Sequence, residues 1–286
     1  MTQDTPVMRY ELRNRYVFEG ELVMQTGLHV GGGKATLSHT DSPVVLTTEG
    51  NPFIPGSSFK GTLRSTIEKL VSSLPESLGL RSCGLPTEEN TNEPCPTARQ
   101  KQIAQLRRAA NPENSEKILA DARKQLCHTC QLFGSPFAAA RITLNDLYLS
   151  NDEWSGATQI RDGVAIDRDS ETAKDRAKYD FEVVPATTVF AMYLVLENAT
   201  DQDLQLISIG LSEFVNGFGG VGGLRSRGLG ACALKDLKIN YLDLTGEKRM
   251  QRLQRYLLYK ELDLVDTQSF FEQHINNLFE ESLPNS

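Results

Sequence analysis

Hydrophobic and polar residues alternate from Tyr16 to Met24, with Phe18, Gly20, Leu22 and Met24 on one side and Glu19, Glu21 and Val23 on the other. That period of two predicts a half-buried β-strand. After the turn-forming segment Asn51-Pro52-Phe53-Ile54-Pro55-Gly56, the period becomes helical: Phe59, Leu63, Ile67 and Leu70 recur every three or four residues. Ser57-Ser58 reads as the N-cap of a helix running to about Val71, with Lys60 and Arg64 one turn apart on its other face. Farther on, Arg141–Leu149 reads as a strand with Ile142, Leu144 and Tyr148 on one face, and Val183–Leu196 as a strongly apolar strand. Leu204–Phe214 reads as a second core helix and Ala231–Tyr241 as a last strand. Residues 76–130 interrupt this order with loop-forming prolines and asparagines and two polar helices, around Arg99–Ala110 and Ser115–Leu126. The tail from Gly246 carries two amphipathic helices, one with Met250, Leu253 and Leu257, the other with Phe271, Ile275 and Leu278. Strand, helix, insertion, strands, helix, strand predicts an α+β fold with a ferredoxin-like β-α-β-β-α-β core.

Composition narrows the class only a little. The chain has 286 residues, 39% of them hydrophobic, which excludes wholesale disorder. The longest unbroken apolar run, Val189–Leu196, is far short of the roughly 20 residues a membrane span needs. No basic stretch followed by an apolar core opens the sequence, so a cytoplasmic protein without membrane partners is expected. The formal charge of −7 is uneven: Glu261, Asp263, Asp266, Glu272, Glu280 and Glu281 occupy a final segment with no Lys or Arg. The rest is close to neutral and can carry a basic groove, so nucleic acid is not excluded.

Three segments carry candidate chemistry. Cys83, Cys95, Cys127 and Cys130 form a C-x11-C pair and, 31 residues later, a C-x2-C pair. Paired thiolates suit one tetrahedral ion, and in a cytosolic chain such grouping favours a structural metal over disulfides. His128 lies inside the second pair as a possible substitute ligand, and Cys232 reads as a core residue of the last strand. The segment Gly219–Gly230 holds six glycines and two arginines, Arg225 and Arg227, in twelve residues. Glycine-loop amides can approach phosphate oxygens closely and arginines supply charge-assisted contacts. No helix-opening GxGxxG and no Walker lysine is present, which disfavours nucleotide binding. Finally, the helix start after Ile54-Pro55-Gly56 attracts anions, with Lys60 and Arg64 extending the positive surface.

Six motifs stand in order: Gly27-Leu28-His29-Val30-Gly31-Gly32-Gly33; Asp41-Ser42-Pro43-Val44; Ile54-Pro55-Gly56-Ser57-Ser58-Phe59-Lys60-Gly61; Cys127-His128-Thr129-Cys130-Gln131-Leu132-Phe133-Gly134-Ser135; Val164-Ala165-Ile166-Asp167-Arg168; and Gly223-Leu224-Arg225-Ser226-Arg227-Gly228-Leu229-Gly230. Together they resemble the RAMP superfamily, and within it the repeated backbone subunit of type III CRISPR effector complexes. The resemblance covers about residues 15 to 240 and leaves the tail after about Asp243 unmatched.

The resemblance implies an RRM-like palm over residues 1–75 and 135–245, carrying a thumb β-hairpin at about 158–182. It further implies an inserted zinc-binding subdomain over 76–134, leaving an acidic helical tail at 246–286. The implied partners are guide CRISPR RNA, complementary target RNA and other effector subunits, including related backbone subunits. Guide phosphates would meet Lys60, Arg64, Gly222, Gly223, Arg225 and Arg227, with Arg168 in the thumb region. Such binding is largely sequence-independent and sensitive to salt.

Asp41 occupies the position where slicing members of the family carry their catalytic aspartate. A carboxylate is a weak base near neutral pH, so it needs Mg²⁺ or Mn²⁺, or strict positioning, to assist a 2′-OH in attacking its own phosphodiester. His39 is the auxiliary acid–base candidate; His29 follows the glycine turn and reads equally as structural, and His274 as structural. By residue type alone, Asp41 before Ser42-Pro43 is a turn aspartate. The leading expectation is a guide-binding backbone subunit that cleaves target RNA. The alternatives are a catalytically silent scaffold of the same complex and a precursor guide-RNA processing nuclease.

Overall fold

The computed structural model describes residues 11–32, 40–84, 93–150, 154, 156–166 and 173–280. His39 and Arg168 lie outside them. In chain order the elements are β1 (Asn14–Met24), α1 (Gly56–Val71), α2 (Gln100–Ala109), α3 (Pro112–Lys124), α4 (His128–Phe133), β2 (Ile142–Leu144), β3 (Gln159–Ile166) and β4 (Ala173–Val183). They continue with β5 (Val189–Glu197), α5 (Asp201–Val215), β6 (Gly219–Gly220), β7 (Ala231–Asp243), α6 (Arg249–Tyr259), β8 (Asp263–Val265) and α7 (Thr267–Glu280). The fold is α+β, built on one antiparallel sheet in the order β2-β5-β1-β7-β6, with β8 also paired to β7.

The alternation in β1 does what its period requires. Phe18, Leu22 and Met24 are buried in the main core, Phe18 edge-on to Phe270 of α7 at 5.9 Å, while Glu19 faces Tyr193 and Lys238 across the sheet's other side. A register shift between Glu19 and Glu21 bulges the β1–β7 pairing. The two helices meet through Phe59 and Phe214, whose rings lie 5.1 Å apart. Gly210 makes that approach possible: a Cβ there would stand 2.6 Å from Ile67 Cγ1. Thr200 and Asp203 form a capping box at the start of α5, and Asp203 also pairs with Arg141.

Several expected boundaries shift for local reasons. Helix α1 begins after Pro55 without a serine cap; its Gly56 N–H donates instead to Asp146 Oδ1 at 2.7 Å. The 141–149 strand shortens to Ile142–Leu144, and Leu147, not Tyr148, is the buried residue beyond it. The apolar run 183–196 divides between β4 and β5 at a tight turn where Thr187 takes a φ of 69°. Helix α7 belongs to the main core, which encloses Phe270, Phe271 and Leu278.

Two parts stand apart from the sheet. Strands β3 and β4 form a separate antiparallel hairpin, Gln159–Val183. Between α1 and β2, helices α2, α3 and α4 gather around a second small core of Cys95, Ile103, Ala122, Leu126, Cys127, Cys130 and Phe137. Among the described residues no helix is long and apolar enough to cross a membrane.

Candidate functional site

The four cysteines converge although the first two lie far from the second pair in sequence. Helix α4 starts immediately after Cys127 and carries Cys130 on its first turn, so one short helix presents both thiols. Cys95 precedes the 3₁₀ turn Pro96–Arg99, and Cys83 approaches from the segment after α1. All four Sγ atoms lie within 4.8 Å of one another, with Cys83 and Cys130 at 3.6 Å. Sulfurs around a tetrahedral zinc at about 2.3 Å would be roughly 3.8 Å apart, so the donor set fits such an ion in number, type and spacing. Hydrogen bonding among the sulfurs splits their ionisation: Cys83 and Cys127 are pushed up, Cys95 is held down, and Cys130 is lowered to about 7, chiefly by Cys127.

His128 is not part of this cluster. Its Nδ1 accepts the Arg81 N–H at 3.0 Å, and its own backbone N–H donates to the Arg81 carbonyl. Arg64 departs from the expected outward position. Its guanidinium is largely buried and donates to Glu68 at 2.7 Å, the Gly134 carbonyl at 3.2 Å and Cys130 Sγ at 3.3 Å. The side of α1 that carries Arg64 is covered by the insertion, through Cys130 and Gly134. Lys60 is half-buried with Nζ at 3.3 Å from the Ile142 carbonyl, and burial followed by Arg64 lowers its pKa. Cys232 sits in the main core, where burial pushes its thiol up to about 12. His274 packs edge-on against Phe270 at 4.5 Å.

A second convergence lies at the root of the β3–β4 hairpin. Three chain segments meet there: Leu28–Gly32, Asp41–Val45 and the loop Val221–Gly230. The end of β4 binds the first two. Glu182 N–H donates to the Ser42 carbonyl, its Oε2 accepts the Val44 N–H at 3.0 Å, and Val184 pairs with Leu28. Asp41 is exposed, and its Oδ2 accepts the Asp180 N–H at 3.2 Å.

His29 is buried at the centre of this junction. Its Nδ1 lies 2.7 Å from the Glu182 carbonyl, which only accepts, so Nδ1 carries a proton, and Nε2 lies 3.3 Å from Ser42 Oγ. The ring is fully occupied in cross-linking the segments. The His29 carbonyl takes the Gly223 N–H at 2.8 Å, so that amide, expected to face phosphate, is already bonded within the protein. Gly222 is required beside it: its φ is +83°, and a Cβ would fall 2.4 Å from the His29 oxygen.

Beyond these glycines the loop turns through the 3₁₀ segment Arg225–Arg227, leaving both arginines exposed. Arg225 Nη1 is 3.4 Å from the Gly220 carbonyl. Arg227 bonds the Tyr179 hydroxyl and lies 5.8 Å from that ring's centre, and Tyr179 stacks on Phe181. The loop arginines and Asp41 thus flank the base of one hairpin. Sequence spacing does not reveal the roles of Tyr179, Asp180 and Glu182, because nothing periodic marks them.

The family model described as the RAMP superfamily matches residues 21–233, most of the chain. The chain belongs to the RAMP superfamily. Curated relatives agree. The CRISPR system Cms endoribonuclease Csm3 of Methanocaldococcus jannaschii is 26% identical over 238 residues, covering 80% of this chain and 82% of the relative. The Streptococcus thermophilus protein of the same name is 26% identical over 242 residues, covering 77% and 87%. A shorter stretch of 59 residues is 44% identical to the Enterococcus italicus protein of that name, covering 20% of this chain. The superfamily match ends within β7, before α6, β8 and α7.

Proposed function

We propose that this RAMP-superfamily chain is a backbone subunit of a type III CRISPR ribonucleoprotein, one that binds guide RNA and cleaves complementary target RNA at Asp41 in the cytoplasm. The observation that carries this reading is the position of Asp41: an exposed carboxylate fastened to the root of a projecting hairpin, beside a loop with two exposed arginines. A hairpin that separates guide from target would deliver a displaced nucleotide to its own base. Fixed placement of the carboxylate there favours in-line attack of a 2′-OH on the adjoining phosphodiester.

The sheet order β2-β5-β1-β7 with α1 and α5 on one face supports a ferredoxin-like, RRM-like palm, the β3–β4 hairpin serving as thumb. Arg225, Arg227 and Lys60 are the guide-phosphate contacts of this reading, and Arg64 belongs to the cysteine cluster instead. Cys83, Cys95, Cys127 and Cys130 would hold a structural zinc. Asp41 offers a carboxylate oxygen of the kind that Mg²⁺ or Mn²⁺ favours, and such an ion would stabilise charge developing on the scissile phosphate.

The test is an assembled complex carrying Asp41→Ala, given labelled complementary RNA. Cleavage at the positions facing this subunit should fall by about 10²–10⁴-fold, while guide and target binding persist. Unchanged cutting at those positions would make the chain a silent scaffold.

A further inference from the structure

Asp41 and Asp180, 139 residues apart, hold each other by a reciprocal pair of hydrogen bonds. Asp41 N–H donates to Asp180 Oδ1 at 2.6 Å, and Asp180 N–H donates to Asp41 Oδ2 at 3.2 Å. Each side chain accepts from the other's main chain, so the contact fixes backbone and carboxylate together. An exposed aspartate on a loop would otherwise sample several rotamers, and its carboxylate would spend little time in any one orientation. With Oδ2 engaged, the Asp41 carboxylate is oriented.

The clamp is the outermost rung of a longer seam. Ser42 bridges Phe181 in parallel fashion, Glu182 N–H donates to the Ser42 carbonyl at 3.0 Å, and Glu182 Oε2 takes the Val44 N–H. These inner contacts hold the 42–44 segment to β4 whether or not Asp180 is present. The Asp180 side chain extends that seam by one residue, fixing the Asp41 main chain from which the carboxylate projects toward the Asp180 N–H. Its cost is two carboxylates placed close together, which Coulomb repulsion opposes unless each accepts a hydrogen bond from an N–H. Both do.

We infer that Asp180 is a positioning residue for Asp41, its side chain fixing from the thumb strand the main chain that carries the Asp41 carboxylate. This deepens the proposed function and rests on the reading that Asp41 carries cleavage. The chemistry asked of Asp180 is acceptance of one backbone hydrogen bond, which an amide oxygen also provides and a methyl group does not.

The experiment compares Asp180→Ala, Asp180→Asn and Asp41→Ala in the assembled complex, with saturating complementary RNA. Two quantities are read: the single-turnover cleavage rate at the sites facing this subunit, and amide hydrogen exchange of the 41–44 segment. In Asp180→Ala the rate should fall ten- to a hundredfold, on the scale by which misplacing a reactive group slows a reaction. Target affinity should be unchanged and exchange at Asp41 faster. Asp180→Asn should restore both to within about threefold of wild type, since its Oδ1 still accepts the Asp41 N–H. Wild-type rate and exchange in Asp180→Ala would overturn the inference. So would an Asp180→Asn complex as defective as Asp180→Ala, because the charge, not the hydrogen bond, would then be what matters. If Asp41→Ala alone leaves cutting intact while exchange follows the expected order, the clamp stands and the assignment of cleavage to Asp41 falls.

Discussion

Around the sheet, Phe18, Phe59, Phe190 and Phe214 are wholly enclosed by strands and helices. Among the described residues, the insertion's small core sets Ile103, Ala122, Leu126 and Phe137 around its thiols, with Ala98 also buried. Its two longer helices bury one residue each, Ile103 in α2 and Ala122 in α3. Burying a large apolar side chain contributes about 1.5–3 kcal/mol, whereas ordering each backbone residue costs about 1–2 kcal/mol. A core that small does not offset the ordering of two helices. The sheet is held by apolar burial, whereas the insertion, on the proposed zinc reading, depends on the ion its four cysteines would hold and on Leu80, Leu132 and Phe133 set in the main core.

Removing the metal should set the two regions apart most sharply. Structural zinc in small domains contributes on the order of 10–16 kcal/mol of apparent binding energy, nearly all of it coupled to folding. Chelation, or Cys127→Ser with Cys130→Ser, should abolish a content of about one zinc per chain. Protease sites in α2 and α3 should open while β1, β5 and β7 keep their exchange protection. Freshly purified protein without zinc, its four thiols reactive under native conditions, would show that packing alone holds the insertion.

The converse change strikes the main core. Phe59→Ala removes a fully buried ring packed on Phe214 and should cost about 3–5 kcal/mol in urea denaturation, with zinc content unchanged. A loss below about 1 kcal/mol, or release of zinc by this substitution, would mean the two cores are not separate.

What is legible in the sequence follows the same division. Periodicity marks β1, α1, α5 and β7 because each has one face against a large apolar core, and spacing marks Cys127 and Cys130 because a single turn of helix presents both. Contacts between distant segments leave no such trace. Nothing near Arg64 signals that it turns to Cys130, or that Gly223 spends its N–H on His29. The start of α1 is hidden for the same reason, since the group that satisfies Gly56 is Asp146, ninety residues later. Edge strand β8, with Leu264 exposed, carries too little burial to produce alternation.

The mildest change concerns the loop arginines, and it separates the proposed RNA surface from surfaces made for folding. Arg225 and Arg227 are exposed and contribute little to either core, so replacing both with Ala should leave stability within about 0.5 kcal/mol of wild type. What should change is binding. For every phosphate that the protein no longer neutralises, the slope of log affinity against log salt falls by about one unit, and binding weakens alike for every guide sequence. The two arginines are not equivalent. Arg227 is braced by the Tyr179 hydroxyl and ring, so Tyr179→Phe keeps the ring beneath the guanidinium and loses only the hydroxyl bond. That variant should weaken guide binding less than Arg227→Ala and leave the salt slope as it was, because no charge is removed. Filter binding of the complex-forming protein to guide RNA between about 50 and 200 mM salt reads both quantities. A double arginine variant with unchanged affinity and slope would move the loop from RNA contact to packing against a neighbouring subunit.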